Sequence, residues 1–469
     1  MIVEQLYTKC LAQGAYFIES DGEAAVIDPL REPMPYIELA EKSGAKIKYI
    51  FETHFHADFV SGHLDLAKLT GATIVYGPGA ETNYPVYVAK DGEEFQVGKL
   101  KIKVIHTPGH TPESTTYLLY NENGEPHAIF TGDTLFIGDV GRPDLAIRNG
   151  LTKEDLAGML YDSLRNKIMP LPDHLIVYPA HGAGSACGKS MSKETYDTLG
   201  NQKKTNWALQ PELTKEQFIK EATNILPPPQ YFAKNAMLNK EGYNSVLEVV
   251  KKAENALDLA AFEKHLQEGA LVLDVRSPQE FAKGHIPNSL NIGLDGMFAI
   301  WVGTIVEDLN TPIILITPEG REEETVIRLA RVGYDNVIGY LSGGIERWKE
   351  AGKELAQVES IPAEDFARRY EAGKLDILDV RKPGEYTAQH IPDAQNVPLD
   401  YIYQHLRELD KNKHYYVHCA GGYRSMIACS ILKREGFEHI TDIAGGFNAI
   451  KNTSLPLTQE ICPTTGQPK

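Results

Sequence analysis

The sequence predicts an α/β protein of several domains, and three observations carry that expectation. At 469 residues the chain exceeds what one hydrophobic core usually supports, at roughly 100–200 residues per domain. The N-terminal half holds strand-like runs, AAVIDP, IKYIFETH, ATIVYG, LKIKVIHTPGH, HAIFTGD and HLIVYPAH, that repeatedly end in His or Asp. The second half repeats itself: LDVRSPQEFAKGHIPNSLNI, ending at Ile292, recurs as LDVRKPGEYTAQHIPDAQNV from Leu378 to Val397. Each copy continues into an apolar strand, a loop, a helix ending near Gly333-Tyr334 or Gly436-Phe437, and a Gly-Gly pair before a final helix. Strands alternating with helices indicate a parallel sheet covered on both faces.

Composition narrows the function classes. Lys+Arg 47 against Asp+Glu 64 gives a net charge of −17 without a basic cluster. That disfavours nucleic acid and anionic membrane surfaces as partners. The start, MIVEQLYTKCLAQGAYF, lacks a basic segment followed by an apolar run, and no stretch is long enough to span a bilayer, so a cytoplasmic location is expected. Cys10, Cys187, Cys419, Cys429 and Cys462 are odd in number and far apart, as for thiols in a reducing compartment.

Four strand ends in the N-terminal half offer imidazole or carboxylate: Thr53-His54-Phe55-His56-Ala57-Asp58, Gly109-His110, Gly132-Asp133 and Ala180-His181. One histidine alone reads as a satisfied core residue; four such motifs at strand ends read as a metal site. The pattern resembles the metallo-β-lactamase superfamily over about Met1 to Lys204, which implies an αββα sandwich. Dinuclear zinc hydrolases of that superfamily, such as glyoxalase II, follow His-x-His-x-Asp with a further His. Here Phe59 stands in its place and cannot coordinate, so one metal is expected. The match within the superfamily is to the persulfide dioxygenases, and it implies one Fe(II) held by His54, His110 and Asp133. His56, Asp58 and His181 would orient ligands or substrate. Gly138 to Asp144 looks like the family's Gly-Arg-x-Asp segment, whose arginine, here Arg142, meets the carboxylate of a thiol substrate. The other reading of Arg142 is a salt bridge to Asp139 or Asp144. Cys187, in a glycine-rich loop after His181, either receives the persulfide with Lys189 favouring its thiolate or fills space under the loop.

Leu213-Thr214-Lys215-Glu216-Gln217 reads as a hydrophobic residue leading a capping box, so a helix is expected from Thr214 to before Pro227. Thr205 to about Ala256 is expected as a helical extension bridging to the repeats.

In the second repeat HYYVHC delivers Cys419 to the loop Ala420-Gly421-Gly422-Tyr423-Arg424, ahead of a helix expected near Ser425. Glycines permit a cradle of backbone N–H groups for a persulfide anion. Cys429, among Ile427, Ala428, Ile431 and Leu432, reads as core. Both repeats resemble rhodanese sulfurtransferases, over about Asp258 to Gly352 and Ile361 to Leu455. The four-residue spacing from Cys419 to Arg424 is the rhodanese length and implies Cys419 and Arg424 as the catalytic pair. Aligning Gly333 with Gly436 puts Ile316 opposite Cys419, and the first repeat has no cysteine. It reads as a pseudo-rhodanese, without a nucleophile.

Expected domains are therefore 1–256, with the helical extension from about 205, 257–356 and 357–469. The arrangement is similar to fused persulfide dioxygenase–rhodanese enzymes of bacterial sulfide detoxification. That resemblance implies oxidation of a low-molecular-weight persulfide by O2 to sulfite and thiol, then thiosulfate formation through Cys419, in a homo-oligomer. Glutathione, coenzyme A, bacillithiol and cysteine all stay open as the thiol carrier. Alternatives are a glyoxalase II-like zinc thioester hydrolase and a non-oxygenating sulfur carrier.

Overall fold

The computed structural model describes residues 1–146 and 150–458, so Cys462 lies outside the described residues. The chain divides into two compact units, Met1–Glu248 with Ile327–Gly333, and Val249–Val326 with the chain from Tyr334 onward. No helix among the described residues is long and apolar enough to cross a membrane.

The first unit is built on two six-stranded sheets. Alternation along a strand explains their stacking, because successive side chains point to opposite faces. In Glu23–Ile27, Ala25 and Ile27 face a core shared by both sheets, while Ala24 and Val26 face outward. The shared core also takes Phe51 and Val75 from one sheet and Ile102, Tyr117, Leu119 and Phe130 from the other. The outer face of the first sheet is covered by the helices Met34–Ser43 and His63–Thr70, through Tyr36, Ala40 and Leu66. The second sheet is covered by Lys153–Ser163 and Lys215–Ala222, through Ala157, Leu160, Phe218 and Ala222. The result is the expected αββα sandwich.

Thr214 is the N-cap of Lys215–Ala222, with a reciprocal capping box to Gln217. Phe218 and Ala222 of this helix are part of the first unit's core, because an amphipathic helix must bury its apolar face against a sheet or helix.

The second unit contains two five-stranded, all-parallel sheets, one per repeat. Ile313–Ile316 and Tyr415–His418 are buried throughout, as a parallel strand covered on both faces must be. The repeated motifs are structural. Arg276 and Arg381 each fold back on the aspartate two residues earlier, Asp274 and Asp379, with Nη2 to Oδ2 at 2.6 Å in both. The His-Ile-Pro histidines stack on the aromatic of the Glu-aromatic pair, His285 on Phe281 and His390 on Tyr386, with centroids 3.7 Å apart in each case.

Strand register corrects the alignment of the repeats. Asp274 pairs with Ile316, and the equivalent Asp379 pairs with His418. Thr317, not Ile316, therefore stands where Cys419 stands. The glycine anchors mislead because the interval from Gly320 to Gly333 is one residue shorter than that from Gly422 to Gly436. Hydrogen-bonded register is set by the sheet and does not feel a deletion in the following helix.

Candidate metal centre and cysteine loop

Lys46–Phe51, Leu100–His106 and Pro126–Gly132 end at one edge of the sandwich and deliver His54, His110 and Asp133. Their ligand atoms lie within 4.8 Å of one another, and all three side chains are buried. Thr53 Oγ1 donates its proton to Asp28 Oδ2 at 2.8 Å, so it must accept from His54 Nδ1, 3.0 Å away. His110 Nδ1 donates to the carbonyl of Arg142 at 2.7 Å. Both rings thus turn Nε2 lone pairs toward Asp133 Oδ2, at 3.8 Å for His54 and 3.4 Å for His110. That oxygen is buried and has no hydrogen-bond partner. An orphaned carboxylate oxygen between two anchored imidazole nitrogens is the donor set of a divalent metal, so these residues fit one.

Electrostatics agree. Burial holds His54 well below the usual histidine range, reinforced by His56, and burial likewise lowers His110. Both are neutral and able to coordinate. Burial alone would raise the Asp133 carboxyl, but His181, His54 and His110 hold it well below the usual carboxylate range. His181 is different: burial lowers it, yet Asp133 and Asp58 outweigh burial and raise it well above the usual value. Its Nδ1 donates to Asp133 Oδ1 at 2.7 Å and its Nε2 lies 2.8 Å from Asp58 Oδ2. His181 therefore orients the carboxylate.

The other expected residues fall in distinct places. His56 turns away from the three donors, its Nε2 3.0 Å from Asp28 Oδ1 and 3.5 Å from Glu52 Oε2. Asp58 joins His181 and Cys187, with ligand atoms within 4.8 Å. Phe59 is fully buried with its ring 4.4 Å from that of His56. Arg142 makes a fork on Asp144, Nε to Oδ1 at 2.7 Å and Nη2 to Oδ2 at 2.9 Å, and donates to the Ala186 carbonyl. Asp139 takes the backbone N–H groups of Lys189 and Ser190 instead. Burial pushes the Cys187 thiol well up, with Asp58 and Asp133 adding to it. The Lys189 ammonium pairs with Glu221.

Three supports escaped the sequence reading. Asp28 holds Thr53 by both its N–H and hydroxyl. Glu52 accepts from Ser61 Oγ at 2.5 Å and lies 3.4 Å from His63 Nδ1. Asn239, on Tyr231–Glu241, donates to the carbonyls of His56 and Phe59 and accepts from the Ser61 N–H. Asp28 and Glu52 share the signal of the others, an acid at a strand end; Asn239 carries none.

In the second unit Cys419 is buried at the end of Tyr415–His418. The Gly422 N–H donates to its Sγ at 3.1 Å, and Sγ lies 3.7 Å from Ser425 Oγ, which donates to Asp442 Oδ1 at 2.7 Å. The helix begins at Tyr423 rather than near Ser425, because Gly422 at φ +98° is its left-handed N-cap. Ala420, Gly421 and Gly422 thus form a loop leading into a helix whose first residue is Tyr423. Arg424 forks onto Glu385, at 2.7 and 2.8 Å, which the sequence signalled only as the repeated Glu-aromatic pair. Cys429 is buried in that helix, as expected.

In the first repeat's loop the matching amide is engaged from within. Glu322 Oε1 accepts from Thr317 Oγ1 at 3.1 Å and from the Gly320 N–H at 3.3 Å, the amide equivalent to that of Gly422.

Comparison with known proteins assigns both regions. The model of the metallo-beta-lactamase superfamily matches residues 9–181, and that of the rhodanese-like domain matches 258–351 and 362–453. The mitochondrial persulfide dioxygenase of Homo sapiens is 31% identical over 215 residues, 44% of this chain and 74% of that protein. The cytoplasmic hydroxyacylglutathione hydrolase of Arabidopsis thaliana is 35% identical over 165 residues, 35% of this chain and 60% of that one. The chain spans about 60% of the length of the hydroxyacylglutathione hydrolases it matches. The crystal structure of a metallo-beta-lactamase from Staphylococcus aureus subsp. aureus COL is 33% identical and covers 73% of this chain and 98% of its own, with a TM-score of 0.64.

Proposed function

We propose that this chain, which belongs to the metallo-β-lactamase superfamily, is homologous to persulfide dioxygenases and carries two rhodanese-like domains, oxidises a low-molecular-weight persulfide and passes sulfur through Cys419. The observation that supports this best is the donor set itself: His54, His110 and Asp133 converge while Phe59 removes an imidazole from the neighbouring position. Ferrous iron held by those three would supply open positions for a sulfur anion and dioxygen. His181 holds the Asp133 carboxylate in place, and Thr53 and the Arg142 carbonyl fix the two imidazole tautomers. Arg142, committed to Asp144, shapes the loop carrying Cys187 and takes the Cys187 carbonyl on its backbone N–H. Cys187 offers a neutral thiol beside the site.

The overall chemistry balances. A persulfide, dioxygen and water give thiol, sulfite and two protons. At the second centre Cys419 takes the outer sulfur of another persulfide, whose thiolate leaves, and sulfite then attacks that sulfur to give thiosulfate and free Cys419. The Gly422 N–H, aimed at Sγ, is placed to hold the anionic sulfur in both steps.

One observation favours a second reading. Asp58, His181 and Cys187 bring three further donors together, which suits a two-metal thioester hydrolase. Metal analysis of anaerobically purified protein with an oxygen electrode separates the two. One iron per chain with persulfide-dependent oxygen uptake, lost in His54→Ala, supports the dioxygenase; two zinc ions with thioester hydrolysis and no oxygen uptake overturns it.

A further inference from the structure

We propose that the cysteine-less repeat positions the cysteine loop of its twin, with Tyr423 as the positioning residue and Gly293 and Gly296 as its seat. The inference rests on the sulfur-transfer reading of Cys419 for its functional consequence, but the contact itself lies within the second unit and stands on geometry.

Tyr423 follows Gly422, whose N–H donates to Cys419 Sγ, and is the first residue of the helix. Its phenol donates to the Gly293 carbonyl of the other repeat at 2.6 Å. Its ring covers Gly296 so closely that a Cβ there would lie 2.4 Å from a ring carbon, and a Cβ at Gly293 would lie 3.3 Å from one. A contact below 3 Å forces a shift, so only glycine at 296 admits the ring. Gly296 is therefore required for steric room rather than for backbone conformation.

The twin supplies an internal control. Asn291 and Asn396 are equivalent, each donating Nδ2 to the carbonyls of the Asp and Arg of its Asp-Val-Arg motif. Counting onward, Gly293 and Gly296 correspond to Pro398 and Tyr401. Neither could seat an aromatic ring at backbone distance. The residue equivalent to Tyr423 in the first repeat is Arg321, which pairs with Asp295 and Glu324. The seat and its occupant are thus found on opposite partners of the duplication, as a built contact between them requires.

Two further bonds keep the same helix on the same edge. Ser430 Oγ accepts from the Asn291 N–H at 3.1 Å, and Arg434 Nη1 donates to the Asn288 carbonyl at 2.8 Å. Docking along one helix face fixes the helix; the Tyr423 bond fixes its first turn, where a small rotation would swing the Gly422 N–H off the sulfur. The repeat that lacks a nucleophile supplies the edge that holds the other's loop.

The test uses the full chain, with thiosulfate as donor and cyanide as acceptor, reading kcat and KM, and hydrogen–deuterium exchange in 419–424. Tyr423→Phe should lower kcat about fivefold with KM for thiosulfate unchanged, the scale of one neutral hydrogen bond, and speed exchange at the loop amides. Gly296→Ala should do the same in the wild-type background and nothing further in Tyr423→Ala, where the ring is gone. Unchanged kcat and exchange in Tyr423→Phe, or an equal Gly296→Ala effect in both backgrounds, overturns the proposal. A wild-type chain that transfers no sulfur while loop exchange responds to both variants supports the positioning contact and overturns the sulfur-transfer reading instead.

Discussion

Thr53 has one hydroxyl proton, and where it goes decides the protonation of the metal centre. Asp28 takes it and also the Thr53 N–H, which leaves His54 Nδ1 as a donor and Nε2 as the free ligand. Asp28→Ala should release Thr53 and lower metal affinity about tenfold or more, the usual cost of losing such a support; an affinity equal to wild type in a competition titration with a chelator would show that His54 is oriented otherwise. Asn239→Leu should act similarly through the loop, since three main-chain groups between His56 and Ser61 lose their partner. At the other centre, burial raises the Asp442 carboxyl to about 6, against the hydrogen bonds of Ser425 and Ser360. A raised acid keeps its proton in the folded state where the unfolded chain has lost it, so stability is full below about pH 4 and falls as pH rises through 6. The total is up to about 3 kcal/mol. Asp442→Asn should flatten the change in melting temperature between about pH 4 and 7; an unchanged pH profile would remove Asp442 as its source. The convergence of His54, His110 and Asp133 was legible because each imidazole or carboxylate stands at the end of an apolar strand. Asn239 was not, since an amide on a helix looks like any surface residue until the fold brings a distant loop beneath it.

Elements were legible where burial left a pattern. The strands ending at Ile27, Phe51, Tyr76, His106, Gly132 and Pro179 were all marked by apolar runs. Ile2–Thr8, Gln13–Ser20 and Thr115–Tyr120 were not singled out. Gln13–Ser20 is almost wholly buried although it contains Gln, Gly, Glu and Ser, because Gln13 Nε2 reaches the Asp28 carbonyl and Ser20 Oγ reaches Glu122. Such local satisfaction hides a central strand from a hydrophobicity reading. The Thr214 capping box was legible from four residues, and Thr214→Ala should cost about 1 kcal/mol in denaturant unfolding of the first unit; no change in midpoint would mean the helix is held by Phe218 and Ala222 alone. The repeat loops show the opposite case, where sequence anchors slipped by one and only the sheet register revealed Thr317 as Cys419's counterpart. Thr317→Cys in a Cys419→Ser chain should still take up no sulfur from thiosulfate by intact mass, because Glu322 already occupies the Gly320 amide. A persulfide on the introduced thiol of that variant would show that Glu322 yields the amide to substrate.

At the scale of the whole molecule, the two centres are built from separate sets of residues. His54, His110, Asp133 and their supports Asp28, Thr53, His181 and Asn239 belong to Met1–Glu248, while Cys419, Gly422, Ser425, Asp442 and Glu385 belong to the second unit. Covalent linkage puts both activities on one chain under the proposed chemistry, because sulfite made at one centre is the acceptor at the other. The two centres should therefore separate cleanly in their losses and couple in their stoichiometry. Removing metal with a chelator should abolish oxygen uptake and leave thiosulfate-to-cyanide sulfur transfer intact. With metal present, the wild-type chain should consume two persulfides for each dioxygen and yield one thiosulfate. Cys419→Ser should consume one persulfide for each dioxygen and release the sulfite, since a hydroxyl cannot carry sulfane sulfur. Thiosulfate formed at the wild-type ratio by Cys419→Ser, measured against oxygen consumed, would show that sulfite meets persulfide without Cys419.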